Sequence, residues 1–196
     1  MAGASGSQPW APNVAAAERY ALHRHGTIAF VVRTPTHTWG WRATRTFPSA
    51  SVLKAMLLVA YLNRRSVRNR PLSAGDRALL APMIRRSDNA AAGRVLGIVG
   101  PGGLRALARR ARMRRFTPVT GIWGLSRIDA ADQARYLLRI DTLTAPRHRA
   151  YAMRLLNTIT PSQRGASPRS SPGAGGSTSR AVGVPAPAGS TTRSRS

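Results

Sequence analysis

Between residues 13 and 163 the apolar positions fall into runs separated by breaks containing Gly, Pro and Arg. Asn13 to His23 is Ala-rich and nearly free of breakers, which predicts a first helix. Thr27 to Arg33 is rich in β-formers and leads into the turn residues Thr34-Pro35-Thr36-His37. Thr38 to Thr46 then alternates, with Trp39 and Trp41 on one face, so the two runs predict a β-hairpin. Ser51 to Asn63 differs in kind. Its residues Val52, Leu53, Ala55, Met56, Leu57, Leu58, Val59 and Ala60 leave no polar side, the mark of a helix buried all round. Further helices are predicted at Ser73 to Ile84, where Ser73 and Asp76 form a capping box, and at Asn89 to Leu96. Others are predicted at Leu104 to Arg115 after Pro101-Gly102-Gly103, at Asp129 to Ile140 and at Arg147 to Leu156. Two strands followed mostly by helices make an α+β domain, helices packed on an antiparallel sheet that still lacks strands.

After Gln163 the pattern stops. Residues 164–196 hold no aromatic, no Leu, no Ile and no acid. Such a segment buries too little apolar surface to offset its ordering entropy, so disorder is expected there. The organisation expected is therefore a single incomplete domain over 1–163 and a tail over 164–196.

Charge adds a rival theme. Lys and Arg number 31 against six acids, a net charge of +25, which favours anionic partners such as nucleic acid, a membrane surface or an envelope polymer. Arg105, Arg109, Arg110, Arg112, Arg114 and Arg115 are the densest cluster, and a basic helix can track phosphates. Leu104, Leu107, Ala108, Ala111 and Phe116 turned inward would make the same arginines a solvated face. No stacking aromatics or groove-reading motif accompany them, so the solvated face is favoured and nucleic acid is not the expected partner. Cysteine is absent, which excludes disulfides and thiolate metal sites. His23, His25, His37 and His148 have no metal-ligand spacing, and no metal or other cofactor is expected. Met1 to Ala17 has no basic segment followed by an apolar one, so no signal peptide is expected. The apolar run from Ala55 to Tyr61 is far too short to span a bilayer, and the chain reads as soluble, with its location unassigned.

Thirty of the 31 basic residues are Arg; the single lysine is Lys54, three positions after Ser51. An Arg cannot lose its proton inside a protein, whereas a desolvated Lys can and then acts as a base. At i and i+3 on a helix the two side chains share a face, making a nucleophile–base pair. Ser51 also falls at the helix N-terminus, where free N–H groups and the dipole favour developing negative charge. A second ordered set, Ser87-Asp88-Asn89, lies at a loop–helix boundary, where each of its residues is also a good helix cap.

In this order, Ser51-Val52-Leu53-Lys54 and Ser87-Asp88-Asn89 resemble the S-x-x-K and S-D-N motifs of the class A β-lactamase and penicillin-binding protein superfamily. The resemblance spans roughly residues 13–163 and implies a β-lactamase/transpeptidase-like fold and an acyl-serine mechanism on an amide or ester. It implies Ser51 as the acylated nucleophile and Lys54 as its base. Ser87 would relay a proton to the leaving group, and Asn89 would hold Lys54 or the substrate amide. The implied partner is a small β-lactam or peptidoglycan-like substrate, taken by a monomer. Family members are usually exported to the envelope or secreted. The alternative is a basic, non-catalytic protein that binds nucleic acid or an envelope polymer.

The chain departs from the family pattern in two places. Class A β-lactamases activate the deacylating water with a Glu after S-D-N, but the sole Glu here is Glu18. Asp129 and Asp132 stand in the right region and read as first-turn helix residues, so slow turnover is expected. No K-T-G strand exists either, since Lys54 is the sole lysine, and the chain as written is expected to be inactive and poorly folded. Joining the third base of each codon to the next two lets residues 164–196 encode a K-G-G-W segment followed by an alternating Trp, Val and Leu pattern. One base missing near the Arg164 codon would account for the tail.

Overall fold

The computed structural model describes residues 10–158 and Thr160. The tail over 164–196 and its boundary at Gln163 lie outside the described residues. Helix α1 (Val14–Leu22) begins where the Asn13 side chain accepts the Ala16 N–H at 2.9 Å. Strands β1 (Phe30–Arg33) and β2 (Thr38–Trp41) form the expected antiparallel hairpin, with Phe30 opposite Trp41 and Val32 opposite Trp39. Trp39 and Trp41 share the half-buried face while Thr38 and Gly40 point outward. Gly40 is required by its neighbour: a Cβ there would stand 2.4 Å from the Phe30 carbonyl oxygen. The second strand is shorter than its alternation suggested, because the chain turns out of it at Arg42, which has a positive φ of 48°.

The chain then forms a ribbon that periodicity did not reveal. β3 (Thr46–Pro48) pairs antiparallel with β4 (Arg127–Asp129), Phe47 facing Ile128. Each strand has three residues, too few for an alternating pattern to register. This ribbon places residues 123–129 beside the start of the central helix.

That helix, α2 (Leu53–Leu62), follows a 3-10 turn over Ala50–Val52, so the predicted run from Ser51 opens with tighter winding. Every residue of α2 except Ala55 is buried, as its all-round apolar pattern requires. Around it pack α3 (Ala74–Arg85), α4 (Asn89–Arg110) and α7 (Arg149–Asn157). Leu53, Met56, Leu57, Leu58, Val59 and Leu62 are fully enclosed with Leu80, Met83, Val95 and Leu104. Burying such a side chain contributes about 1.5–3 kcal/mol, so α2 is the centre of the fold's stability. From α5 (Ala130–Leu138), Tyr136 donates its hydroxyl to the Ala55 carbonyl at 2.9 Å.

Capping explains most helix starts. Ser73 and Asp76 make the reciprocal capping box of α3, with Ser73 N–H to Asp76 Oδ2 at 2.7 Å and Asp76 N–H to Ser73 Oγ at 3.1 Å. Asp76 also accepts from Tyr61 at 2.6 Å and Arg70 at 2.6 Å. Arg70 holds its carboxyl well below the usual carboxylate range, while burial pushes Tyr61 up to about 12.

The two helices expected at 89–96 and 104–115 are both present within the run α4, separated at Gly100, whose φ of 66° and ψ of 168° are not helical; only their bounds are corrected. Pro101 restarts the helix, since a missing N–H does no harm in a first turn. Its C-terminal end comes at Arg110 because Arg112 takes a positive φ of 56° and the Met113 N–H turns back to the Ala108 carbonyl at 2.9 Å; the Asp132 carboxylate accepts the next N–H groups, of Arg114 and Arg115, at 2.7 and 2.6 Å. The helix predicted at 129–140 likewise ends at Leu138, and a short α6 (Ile140–Leu143) follows. Leu104, Leu107, Ala108 and Ala111 do turn inward, leaving Arg105 and Arg109 exposed.

Candidate active site

Ser51, Lys54, Ser87 and Asn89 converge. Ser51 sits in the 3-10 turn at the mouth of α2, exposed, and Lys54 one turn later is buried, 3% exposed. The loop between α3 and α4 brings Ser87 to them, and Asp88 caps α4 by accepting the Ala91 N–H at 2.8 Å. Asp88 thereby fixes where Ser87 and Asn89 lie on either side of it.

The distances describe a closed triangle. Lys54 Nζ lies 3.2 Å from Ser51 Oγ and 2.7 Å from Ser87 Oγ, and the two hydroxyls are 2.9 Å apart. Lys54 also donates to Asn89 Oδ1 at 2.8 Å and to the Ser87 carbonyl. A charged amine has three protons for these four oxygens. A neutral one gives two, to the carbonyl and the amide oxygen, and keeps a lone pair for a serine hydroxyl. Burial lowers Lys54 from 10.5 to about 8, against the charge of Asp88, which raises it. The neutral form needed of a base is therefore within reach near neutral pH.

The backbone is strained at two points of this site. Ala50, immediately before Ser51, has a φ of 42°, and Ser87 has a φ of 57°. Left-handed geometry costs a non-glycine residue about 1 kcal/mol or more and is held only where surrounding structure enforces it. At Ala50 the enforcing contacts come from the loop before β4. Ser49 donates its N–H to the Ser126 carbonyl at 2.7 Å, and its Oγ lies 3.4 Å from the carbonyls of Trp123 and Gly124.

The same loop brings in a residue that motif reading missed. Lys54 Nζ stands 4.9 Å from the centre of the Trp123 ring, within cation–π range. The trace of it in the sequence is a tryptophan set between glycines, Gly121-Ile122-Trp123-Gly124, in a stretch without periodicity.

Asp129 and Asp132 are committed to the backbone. Asp129 caps α5, accepting the Asp132 N–H at 2.6 Å, and burial raises its carboxyl. Its Oδ2 has no hydrogen-bond partner and meets only Arg115 at 3.9 Å. Asp132 accepts the two N–H groups of the Arg114–Arg115 loop and pairs with Arg135.

No family model matches the chain, and no curated protein resembles it in sequence. Solved structures do share its fold. The β-lactamase from Sphaerobacter thermophilus DSM 20745 superposes at a TM-score of 0.57 and 20% identity, over 74% of this chain and 69% of that one. A β-lactamase from Streptosporangium roseum gives 0.53 and 21%, over 68% and 64%. The TLA-1 extended spectrum β-lactamase gives 0.61 at 10% identity, over 76% and 69%. The chain thus has a β-lactamase-like α+β fold, over roughly two thirds of its neighbours' length.

Proposed function

We propose that this chain derives from a serine hydrolase of the β-lactamase/D,D-peptidase type, whose intact-frame form makes an acyl-serine intermediate on Ser51 and which is inactive as written for want of the K-T-G strand. The observation that carries the reading is the triangle of Ser51, Lys54 and Ser87, clamped by Asn89, at the N-terminus of a buried helix. Neutral Lys54 takes the Ser51 hydroxyl proton as Oγ bonds to the carbonyl carbon of an amide or ester. The carbonyl oxygen becomes an oxyanion facing the Ser51 N–H, where the helix dipole favours it. Collapse breaks the bond to the leaving nitrogen or oxygen, which receives the proton from Lys54 through Ser87.

Hydrolysis of the acyl-enzyme is the slow step. A deacylating water needs a base, and the carboxylates in the expected region, Asp129 and Asp132, are engaged by the backbone of α5 and the Arg114–Arg115 loop. Substrates fitting this chemistry are β-lactams and peptidoglycan-type peptides, and the protein acts as a monomer without a metal. The strand that would supply a second oxyanion donor belongs, on this reading, to the shifted frame after the Arg164 codon.

The test is covalent. Incubation of the restored-frame protein with a fluorescent penicillin or a fluorophosphonate, followed by intact mass, should give a single persistent adduct on Ser51. Ser51→Ala should abolish it, and Lys54→Arg should come close, since guanidinium cannot accept the proton. Labelling retained in either variant refutes these roles.

A further inference from the structure

Away from the triangle, three arginines converge on one recess. A cavity of about 200 Å³ opens between the start of α3, the 3-10 turn Pro146–His148 and α7. Arg77 lines it from α3, Arg147 from the turn and Arg154 from α7, and no acid does. Tyr151 and Arg154 stand three apart on α7 and so share a face. Arg77 crosses to them from α3, its guanidinium 5.5 Å from the centre of the Tyr151 ring, within cation–π range. The Tyr151 hydroxyl is buried without a hydrogen-bond partner, a state that native interiors rarely keep unless a ligand or water completes it.

The charge in this recess is unanswered. All three arginines are exposed, and none forms an ion pair among the described residues. The acid beside Arg77 in sequence, Asp76, is turned into its capping box and paired with Arg70. Like charges gathered in one place repel, and an anion between them removes that cost. The frame that gathers them is fixed. His148 is buried, and its Nε2–H donates to the Val67 carbonyl at 3.0 Å, tying the turn to the loop after α2. His148 therefore gives α7 no side-chain cap, and the first turn of α7, which lines the cavity at Ala150, adds the positive end of its dipole.

We infer that Arg77, Arg147 and Arg154 form a binding site for the phosphate group of a small anion, separate from the serine site. It lies toward the C-terminal end of α2, whose ten residues put about 15 Å between that end and the Ser51 end. Shape favours phosphate over carboxylate. Each guanidinium offers a planar fork of donors, and three forks need more acceptor oxygens than one carboxylate holds. Single-stranded nucleic acid fits less well, because it needs open rings on which bases stack. The aromatic residue at this cavity, Tyr151, is half-buried and lies under Arg77.

The experiment uses the full chain, as written and with the frame restored, since residues 71–154 are the same in both. Pyrophosphate is titrated by calorimetry in about 0.15 M chloride, which screens the general positive field. The restored-frame form decides, and it should bind one pyrophosphate per chain. The double variant Arg77→Gln, Arg154→Gln should lose roughly a hundredfold in affinity, about tenfold for each charge-assisted contact removed. The control pair Arg105→Gln, Arg109→Gln removes the same charge from α4 and should stay within twofold of the parent. All four positions are exposed, so melting curves of both variants should match the parent's. No saturable binding overturns the site, as does an equal loss in the two pairs, which would mark a response to net charge alone. Tighter binding of a short oligothymidylate than of pyrophosphate, with the same dependence on Arg77 and Arg154, overturns it in favour of a nucleic-acid surface.

Discussion

Replacing Lys54 by methionine should make the protein more stable while removing its chemistry. Lys54 is the one charged group within α2, and burial brings it from 10.5 to about 8. At 1.36 kcal/mol per tenfold change, charging it in the folded state costs about 3 kcal/mol more than in the unfolded chain. Ser51 and Asn89, which bind it, face solvent, so water screens part of this. A lost donor to the half-buried Ser87 carbonyl returns about 1 kcal/mol. Methionine has similar volume and no charge, and the net gain for Lys54→Met at pH 7 is about 1–2 kcal/mol, or about 3–6 °C in Tm. The sign follows from a folded value below the unfolded one. The penalty is fully present below about pH 8 and fades as pH rises from 8 toward 10.5, where the unfolded lysine also becomes neutral. Denaturant melts of parent and variant at pH 7 and pH 10 test this. A variant no more stable at pH 7, or a gain equally large at pH 10, refutes the reasoning.

Three further outcomes follow from the same geometry. Ser51 acylation should climb with pH through a midpoint near 8, and Asp88→Asn, which removes the anion favouring charged Lys54, should move that midpoint lower while keeping the α4 cap; an unmoved or rising midpoint contradicts the assignment. Asp132→Ala strands the N–H groups of Arg114 and Arg115 and the Arg135 guanidinium, and should cost about 3–5 kcal/mol by denaturant melt, where a loss under 1 would contradict its anchoring role. Restoring one base near the Arg164 codon should raise both Tm and the rate of Ser51 labelling, the latter roughly a hundred- to a thousandfold if a second oxyanion donor is regained. Equal melting and labelling of the two forms would count against the shifted-frame account.

How legible the molecule was depends on what each element relies on. The α2 helix is stabilised by burial on all sides, and its unbroken apolar run states that directly. The capping box of α3 is likewise local, with both partners inside four residues. The β3–β4 ribbon depends on pairing between residues 79 to 83 positions apart in strands of three, and no local pattern encodes it. The true end of α4 escaped because it rests on Arg112 adopting a positive φ, which an arginine in the sequence does not announce. At the candidate site, Ser51 and Lys54 were visible because a helical turn fixes their offset, and Ser87-Asp88-Asn89 because it is contiguous. Trp123 reaches Lys54 only through the Ser49–Ser126 contact, which the sequence does not announce.

The proposed nucleophile, Ser51, is carried at the mouth of the helix that also forms the centre of the hydrophobic core. A chain in which α2 has not docked has no enclosed lysine, no Ser87 within reach and no strained turn at Ala50; its serine is then an ordinary alcohol. Reactivity toward an acylating probe therefore counts docked molecules one by one. In a mixture of folded, partly folded and aggregated chains, the labelled fraction would serve as a census of the native state. The same coupling keeps a nascent or damaged chain from acylating itself indiscriminately.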